Sequence, residues 1–366
     1  MADTSSMSFP MVGGDGPHSH TQNSSLQRNA VESAKSWMNA AIVDNLDVNQ
    51  LNRVSSSSNS FKIVDLDCSV GPNTFIGVQN IIESVKLVCQ CHGLDSEALE
   101  FQVLFNNHAS NDFNTLFKCL SKGSQFFAAG VLGSFHGRLF PKSSVHLMHS
   151  SYSLQWLSKQ VPPKLVDEQS PSWNKGRIYY GGAPKEVFEA YEAQFAKDME
   201  SFLNARALQL VPGGIMALVV SCHPSGTPPS HFSLMVLIQL LEAILNDMAN
   251  MGLVDEDKVN TFNLPRYNPT LQELQTLTER NGCFSIEKLE ALVHAPAKEM
   301  SPEHKVLHLR AGWEGVIKQD FGSDDQIIDK LFDTFNKKAV DLPIFSQHGE
   351  YKSLENIFVL LKSKVA

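Results

Sequence analysis

An α/β fold on a mostly parallel sheet is what this chain predicts, on three observations. Apolar runs of strand length alternate with helix-period segments between residues 61 and 222. Those runs are apolar on both alternating sets of positions, as strands covered on two faces are. Each then breaks into Gly, Pro, Asn, Asp or Ser, which is how a buried strand opens into a turn at a sheet edge.

The elements follow in order. Residues 1–24 are rich in Ser, Gly and polar groups, and composition alone reads them as a disordered tail. "LQRNAVESAKSWMNAAIVDNL" carries apolar residues at helical spacing, and "VSSSSNS" at 54–60 is a loop. A strand at 61–66 leads to a helix at 74–90, a strand at 101–105, a helix at 112–120 and strands at 126–131 and 145–149. "KEVFEAYEAQFAKDMESFLNARALQL" is a long amphipathic helix, and the turn "VPGG" feeds the strand "IMALVVS". Beyond residue 222 the segments "HFSLMVLIQLLEAILNDMANMG", "LQELQTLTERNG" and "DDQIIDKLFDTFNKKAV" are helical, and "NIFVLLKS" is a last strand. The expected organisation is an α/β core over 25–222 with a polar insertion at about 160–185, a mostly helical cap over 223–345, and a C-terminal strand within 346–366 returning to the core.

With 366 residues, 42% hydrophobic and 19% charged, the chain can bury a full core. The net charge of −9 and the lack of clustered Lys and Arg argue against a nucleic-acid partner. No uninterrupted apolar run is long enough to span a membrane, and "MADTSSMSFPMVGGDGPHSH" has no signal-peptide pattern. Six cysteines without a CxxC pair fit free thiols, so a cytoplasmic location without membrane association is expected.

Ligands of parallel sheets bind beyond the carboxyl ends of the strands, which directs attention to the segments after residues 66, 105, 131 and 149. In "KIVDLDCSVGPNTF", Asp65 is suited either to accept from a ligand ammonium or to cap the next turn. GxxxxGK[ST] and GxGxxG are both absent, so nucleoside triphosphate and NAD sites lack their fingerprints. In "LFNNHASNDFN", Asn106 and Asn107 stand where a ribose-binding acid is common in nucleoside-binding folds, although turn roles suit them better. Ser134 and Phe135 are placed to hydrogen-bond and stack on a flat ring, and Tyr152, Gln155 and Trp156 to present polar tips to a ligand. No zinc spacing and no GxSxG elbow occur.

Taken in order, "MVGGDGPHSHTQNSSLQ", "DLDCSVGPNTF", "NNHASNDFNTLF", "GSFHGRLFPKSSVHLMHSSYSLQWLS", "WNKGRIYY", "FLNARALQLVPGG" and "FNLPRYNPT" resemble the plant SABATH methyltransferases. These use S-adenosylmethionine to methylate salicylic, jasmonic, farnesoic, loganic and similar acids, or xanthine nitrogens in one branch. The resemblance implies a Rossmann-like class I methyltransferase sheet with a helical cap, and an ordered strap over the site made by residues 1–24. It implies that Ser24, Asp65 and Asn73 hold the methionine end of the cofactor, that Ser134 and Phe135 flank adenine, and that Asn107 faces the ribose. Gln27 and Trp156 match the pair that orients the substrate carboxylate, and His20, Tyr152, Gln155 and Tyr267 match pocket positions. Gln27, where the xanthine branch carries Asn, favours a small carboxylic acid as substrate. A homodimer is expected by the same resemblance.

Four positions depart from the family pattern. Asp67 replaces the glycine that lets the backbone approach the cofactor, adding a side chain and a charge there. Asn107 replaces the ribose aspartate. His20 and Asn260 replace a Tyr and an Asp. Asn174, Asn260, Phe262 and Asn263 fall where some members lie by a Mg²⁺ site, but neutral amide oxygens serve a hard cation less well than carboxylates, and magnesium is a doubtful cofactor. The alternatives to an active carboxyl methyltransferase are a degenerate paralogue that binds an acid or a partner subunit without turnover, and an N-methyltransferase of the xanthine branch. The apolar content of "HFSLMVLIQLLEAIL" hints at a lipophilic or aromatic acid, although such residues are more often plain core.

Overall fold

The computed structural model describes residues 10–56, 60–121, 123–158, 162–228, 231–292, 301–345 and 351–364. Its strands are β1 (Phe61–Leu66), β2 (Phe101–Asn107), β3 (Phe127–Leu132), β4 (Val145–Ser151), β5 (Leu210–Cys222), β6 (Phe284–Ala291) and β7 (Glu355–Ser363). They form one sheet in the order β3-β2-β1-β4-β5-β7-β6. β1 to β5 are mutually parallel, and β7 runs antiparallel to both its neighbours. The chain reverses its lateral progress between β1 and β4, which leaves a crevice at their carboxyl ends.

The helices are α1 (His20–Asn23), α2 (Ser25–Asn45), α3 (Val48–Ser56), α4 (Asn73–Cys91), α5 (Phe113–Lys118), α6 (Lys185–Gln209), α7 (Ser233–Asn250), α8 (Glu256–Thr261), α9 (Leu271–Asn281), α10 (Pro302–Phe321) and α11 (Asp325–Ala339). Central strands feed two cores at once. Ile215, Ala217 and Val219 of β5 pack with Ala34 and Met38 of α2 and Val78 and Ile81 of α4, while Met216, Leu218 and Val220 join a second core with α6, α7, α10 and α11. That division is why the run reads as continuously apolar.

Three local differences from the sequence reading have physical causes. "VPGG" is a bulge inside β5 rather than a turn before it. Gly213 has φ +71°, and a Cβ on Gly214 would lie 3.1 Å from the His146 carbonyl, so only glycines keep the strand paired to β4 there. Within the stretch expected to be helical, β6 supplies the edge of the sheet, its apolar alternation obscured by a register shift between Ile286 and Lys288. The N-terminal residues from Pro10 onward are ordered, against their composition. Val12 N–H donates to Ala311 O at 3.0 Å, and a Cβ on Gly315 would sit 2.4 Å from Pro10 O, so the glycines of α10 let this segment lie against the helix. Residues 1–9 and 346–350 lie outside the described residues.

Candidate functional site

The loops after β1, β2, β3 and β4 emerge at one border of the sheet because those strands are parallel. Asp65 lies in register with His149 of β4, and its Oδ1 is 2.9 Å from His149 Nδ1. Its Oδ2 accepts from the Thr74 hydroxyl at the start of α4. Both carboxylate oxygens are therefore engaged within the protein, each keeping a further lone pair. Asn73 ties the same loop to the N-terminal segment: its Nδ2 donates to Ser24 O at 2.9 Å and Ser24 Oγ at 3.0 Å, and its Oδ1 accepts from Arg28 Nε at 3.2 Å.

The turn between β1 and α4 uses left-handed residues at Asp67 (φ 59°) and Ser69 (φ 58°). Aspartate is among the few non-glycine residues that visit this region, which is how the turn survives without glycine. Burial, helped by the charge of Asp65 and opposed by a hydrogen bond from Ser153, pushes the Asp67 carboxyl up to about 6. Asp67 opens onto a narrow cleft that it shares with Met11, Ser134, Phe135, His136 and Trp156.

Asn107 Oδ1 accepts from the next backbone N–H at 2.7 Å. Asn106, by contrast, is a fastener, donating to Val131 O at 2.9 Å and Gly133 O at 3.0 Å. The loop after β3 is held from below by Arg206 of α6, which donates to Phe135 O at 2.9 Å and to Gly137 O. Burial lowers the Arg206 guanidinium to about 9.

At the end of β4, Tyr152 (φ 60°) accepts through its carbonyl from the Gln155 side chain. Residues 155–157 then pair with 265–267: Trp156 bridges Arg266, Tyr267 N–H donates to Gln155 O at 2.8 Å, and Leu157 N–H donates to Pro265 O at 2.9 Å. This brings Tyr267 to the strand ends, where its hydroxyl donates to Glu273 at 2.6 Å. His20 Nδ1 lies 3.0 Å from Ser69 Oγ, and burial, with His308 nearby, lowers its imidazole to about 4. Gln27, on the first turn of α2, has a buried Oε1 without a partner.

The sequence-derived positions thus fall into three groups. Asp67, Ser134, Phe135 and Trp156 share one cleft. Ser24 and Asn73 are joined to each other, and Tyr152, Gln155 and Tyr267 form a connected run. No hydrogen bond among the described residues connects Gln27 with Trp156. Sequence reasoning missed His149, Thr74, Arg206 and Arg266; only the break "MHSS" in an apolar strand signalled the first of them.

The magnesium positions do not fit a divalent cation. Asn174 Nδ2 donates to Asn263 Oδ1 at 2.7 Å and to Tyr179 O at 3.2 Å, so two of the amides clasp each other. Phe262 packs its ring 5.2 Å from Phe321, and Asn260 sits on α8. Asn174 Oδ1 alone is left buried without a partner, and no metal-binding group of His, Cys, Asp or Glu occurs among the described residues. One neutral oxygen does not dehydrate a hard cation. In "HFSLMVLIQLLEAIL", Leu237, Leu241, Ile244 and Leu245 are buried in the core, the commoner role for such residues.

The loops present hydroxyl, carboxyl, imidazole and aromatic groups to the cleft, and His136 Nδ1, on its lining, is buried without a partner. Residues 6–364 match the family described as SAM dependent carboxyl methyltransferase. Loganic acid O-methyltransferase of Catharanthus roseus is 40% identical over 359 residues, covering 97% of this chain and 94% of that one. Farnesoic acid carboxyl-O-methyltransferase of Arabidopsis thaliana is 40% identical over 338 residues, covering 92% and 94%. A loganic acid methyltransferase solved with SAH superimposes with a TM-score of 0.89 at 39% identity, covering 97% of this chain and 99% of that one. A strand order that switches at the cleft, and a likeness running nearly end to end, place the chain in the SABATH family of S-adenosylmethionine-dependent carboxyl methyltransferases.

Proposed function

We propose that this chain methylates the carboxylate of a small plant acid to a methyl ester, with Gln27 and Trp156 orienting that carboxylate. The observation that carries the reading is the single cleft in which Asp67, Ser134, Phe135 and Trp156 meet at the carboxyl ends of parallel strands. Bound there, S-adenosylmethionine supplies a sulfonium methyl already activated for displacement. The protein's share is alignment. A carboxylic acid with a pKa of roughly 4–5 is ionised at neutral pH, so no base is needed. The His20 imidazole, at about 4, is too weak a base to serve as one.

As the carboxylate oxygen bonds to the methyl carbon, the carbon–sulfur bond breaks and sulfur keeps its electron pair. The residues hold the line of attack and exclude water, and proximity of this kind is worth on the order of 7–11 kcal/mol. Gln27 Oε1 is buried without a partner among the described residues, so the amide is free to turn its N–H toward the substrate in this reading. Asp65, Asn73 and Ser24 lie at the methionine end in this reading, Asn107 at the ribose, and Tyr152, Gln155, His20 and Tyr267 along the pocket.

Residues 10–24 act as the strap, latched by Gly14 N–H to Asp112 at 3.0 Å and by His308 to Asn23 O at 3.1 Å. The core and cap division also belongs to this reading, with β6 returned to the core. Six free cysteines support a cytoplasmic enzyme, and no described helix is long and apolar enough to cross a membrane. A homodimer is supported by the edge strand β3, where Phe127 and Leu132 are 64% and 60% exposed.

The test is transfer of tritiated methyl from S-adenosylmethionine across salicylate, benzoate, jasmonate, farnesoate, indole-3-acetate, gibberellin and loganate. A labelled product released by mild alkali is the expected ester. An alkali-stable product, or no transfer to any acid by a protein that binds the cofactor, overturns the reading.

A further inference from the structure

Arg266 is a charge for which the reaction has no use. It bridges Trp156 through the backbone and lays its guanidinium carbon 5.9 Å from the Trp156 ring. Its Nε donates to Asn268 Oδ1 at 3.1 Å, and Asn268 Nδ2 donates to Ser221 O at 2.9 Å, so the side chain is anchored at Nε beside the indole. Among the described residues, neither terminal amino group has a hydrogen-bond or carboxylate partner.

Every titratable group that faces it from the surrounding elements is neutral or already spent. Burial raises the phenols of Tyr152, Tyr179 and Tyr180 and lowers the imidazoles of His223 and His308. Glu273, the acid that touches the same tyrosines, accepts from Tyr267 at 2.6 Å and from Thr270 N–H at 2.6 Å in a capping box. Gln155 Oε1 is buried without a partner as well. A guanidinium stays charged even where desolvation lowers its pKa, and a partly buried cation lacking a counter-ion is costly unless a ligand supplies one.

Resting on the carboxyl-methyltransferase reading, we propose that Arg266 binds a second carboxylate of the substrate, so that the preferred acid is a dicarboxylic acid. The reacting carboxylate is the weaker candidate for this partner. Its charge disappears as the ester forms, so an ion pair to it would favour the ground state over the transition state and slow the reaction. A second carboxylate keeps its charge throughout, and the planar fork suits bidentate contact.

The test compares the wild-type full chain with R266Q and R266K on matched acids, benzoate against isophthalate and hexanoate against adipate. Binding is measured by calorimetry with and without S-adenosylhomocysteine, and methyl transfer by label. The expected result is at least one diacid bound about tenfold or more tightly than its monoacid, a preference that weakens with salt. The preference collapses in R266Q, survives in part in R266K, and leaves the monomethyl ester as the end product. Equal affinity for both members of each pair in the wild type, or a preference untouched in R266Q, overturns the proposal. Should R266Q fail to fold, the wild-type selectivity and its salt dependence still decide. Diacid preference in binding without methyl transfer would instead sink the catalytic reading and spare Arg266.

Discussion

Asp67→Asn removes a buried charge while keeping a residue that tolerates a left-handed backbone. The carboxyl of Asp67 rises from its ordinary 3.8 to about 6. At about 1.4 kcal/mol per unit, the ionised form costs the folded state up to about 3 kcal/mol, and about 1–2 kcal/mol once the part of the side chain facing the cleft is discounted. Because the folded pKa lies above the unfolded one, the cost is absent below pH 3.8, grows as pH rises toward 6, and is complete above it. Urea unfolding of wild type and D67N should therefore coincide near pH 4 and diverge by about 1–2 kcal/mol in favour of D67N at pH 7.5. The same charge opposes the ligand's own carboxylate, so D67N should also tighten S-adenosylmethionine more at pH 7.5 than at pH 5. A stability difference that is constant with pH would refute the burial of an ionising group at this turn.

Asn107→Asp restores two acceptors at the proposed ribose position. Calorimetry should show S-adenosylhomocysteine bound roughly tenfold to hundredfold more tightly, the worth of one charged hydrogen bond at about 1.5–3 kcal/mol; unchanged affinity places the ribose elsewhere. Trp156→Phe keeps the ring and loses the indole N–H, so kcat/KM should fall about tenfold to hundredfold while cofactor affinity holds. A parallel loss of cofactor binding would mean that Trp156 shapes the cleft rather than grips the acid. Asp112→Ala removes the cap of α5, which accepts from Thr115 N–H at 2.9 Å, and with it the latch to Gly14. A stability loss of about 1–2 kcal/mol and faster proteolysis between residues 10 and 24 are expected, and an unchanged cleavage rate would show the strap held without it. With no imidazole poised near neutrality at His20, the rate should be flat from pH 7 to 9, and a limb near 6.5 would reveal a base.

How much of this was legible depended on the distance in sequence over which each feature is decided. β1, β2, β4, β5 and β7 announce themselves because alternate residues feed two cores, leaving no polar face to interrupt the run. β6 did not, since an edge strand covered on one side carries Ser285, Glu287, Lys288 and Glu290 and a register shift. α10 was missed for the opposite reason. Buried Arg310 and Glu314, paired at 2.7 Å, sit where an amphipathic pattern needs apolar residues. The strap defeated compositional reasoning because its order comes from Ala311 and Gly315, some three hundred residues away. In the site, strand-end logic found the loops, and the motif series supplied the roles proposed for their residues. What no local pattern carries is the pairing of Asp65 with His149, or of Arg206 with the loop at Phe135, since each joins residues 84 or 71 positions apart.

The charges left in and around the site make chemical sense in a methyl transfer between a cation and an anion. The two reactants neutralise each other in the transition state, so fixed charges close to the reacting atoms would hold the ground state back. The groups expected nearest those atoms are neutral: an amide at Gln27, an indole at Trp156 and an imidazole at His20 that stays unprotonated above about pH 4. Asp65 is bound to His149 and Thr74, which spreads its charge before any ligand arrives. Two exceptions remain: Asp67 in the cofactor turn, eased only by a hydrogen bond from Ser153, and Arg266 beside the indole, with no carboxylate partner among the described residues. An unneutralised charge at such a depth is stable only if something binds against it or if it titrates away. Asp67 takes the second course only below about pH 6, and above it the charge persists at the cost to the folded state worked out above. A guanidinium cannot titrate away, which is why Arg266 points to an anion on the substrate rather than to a proton.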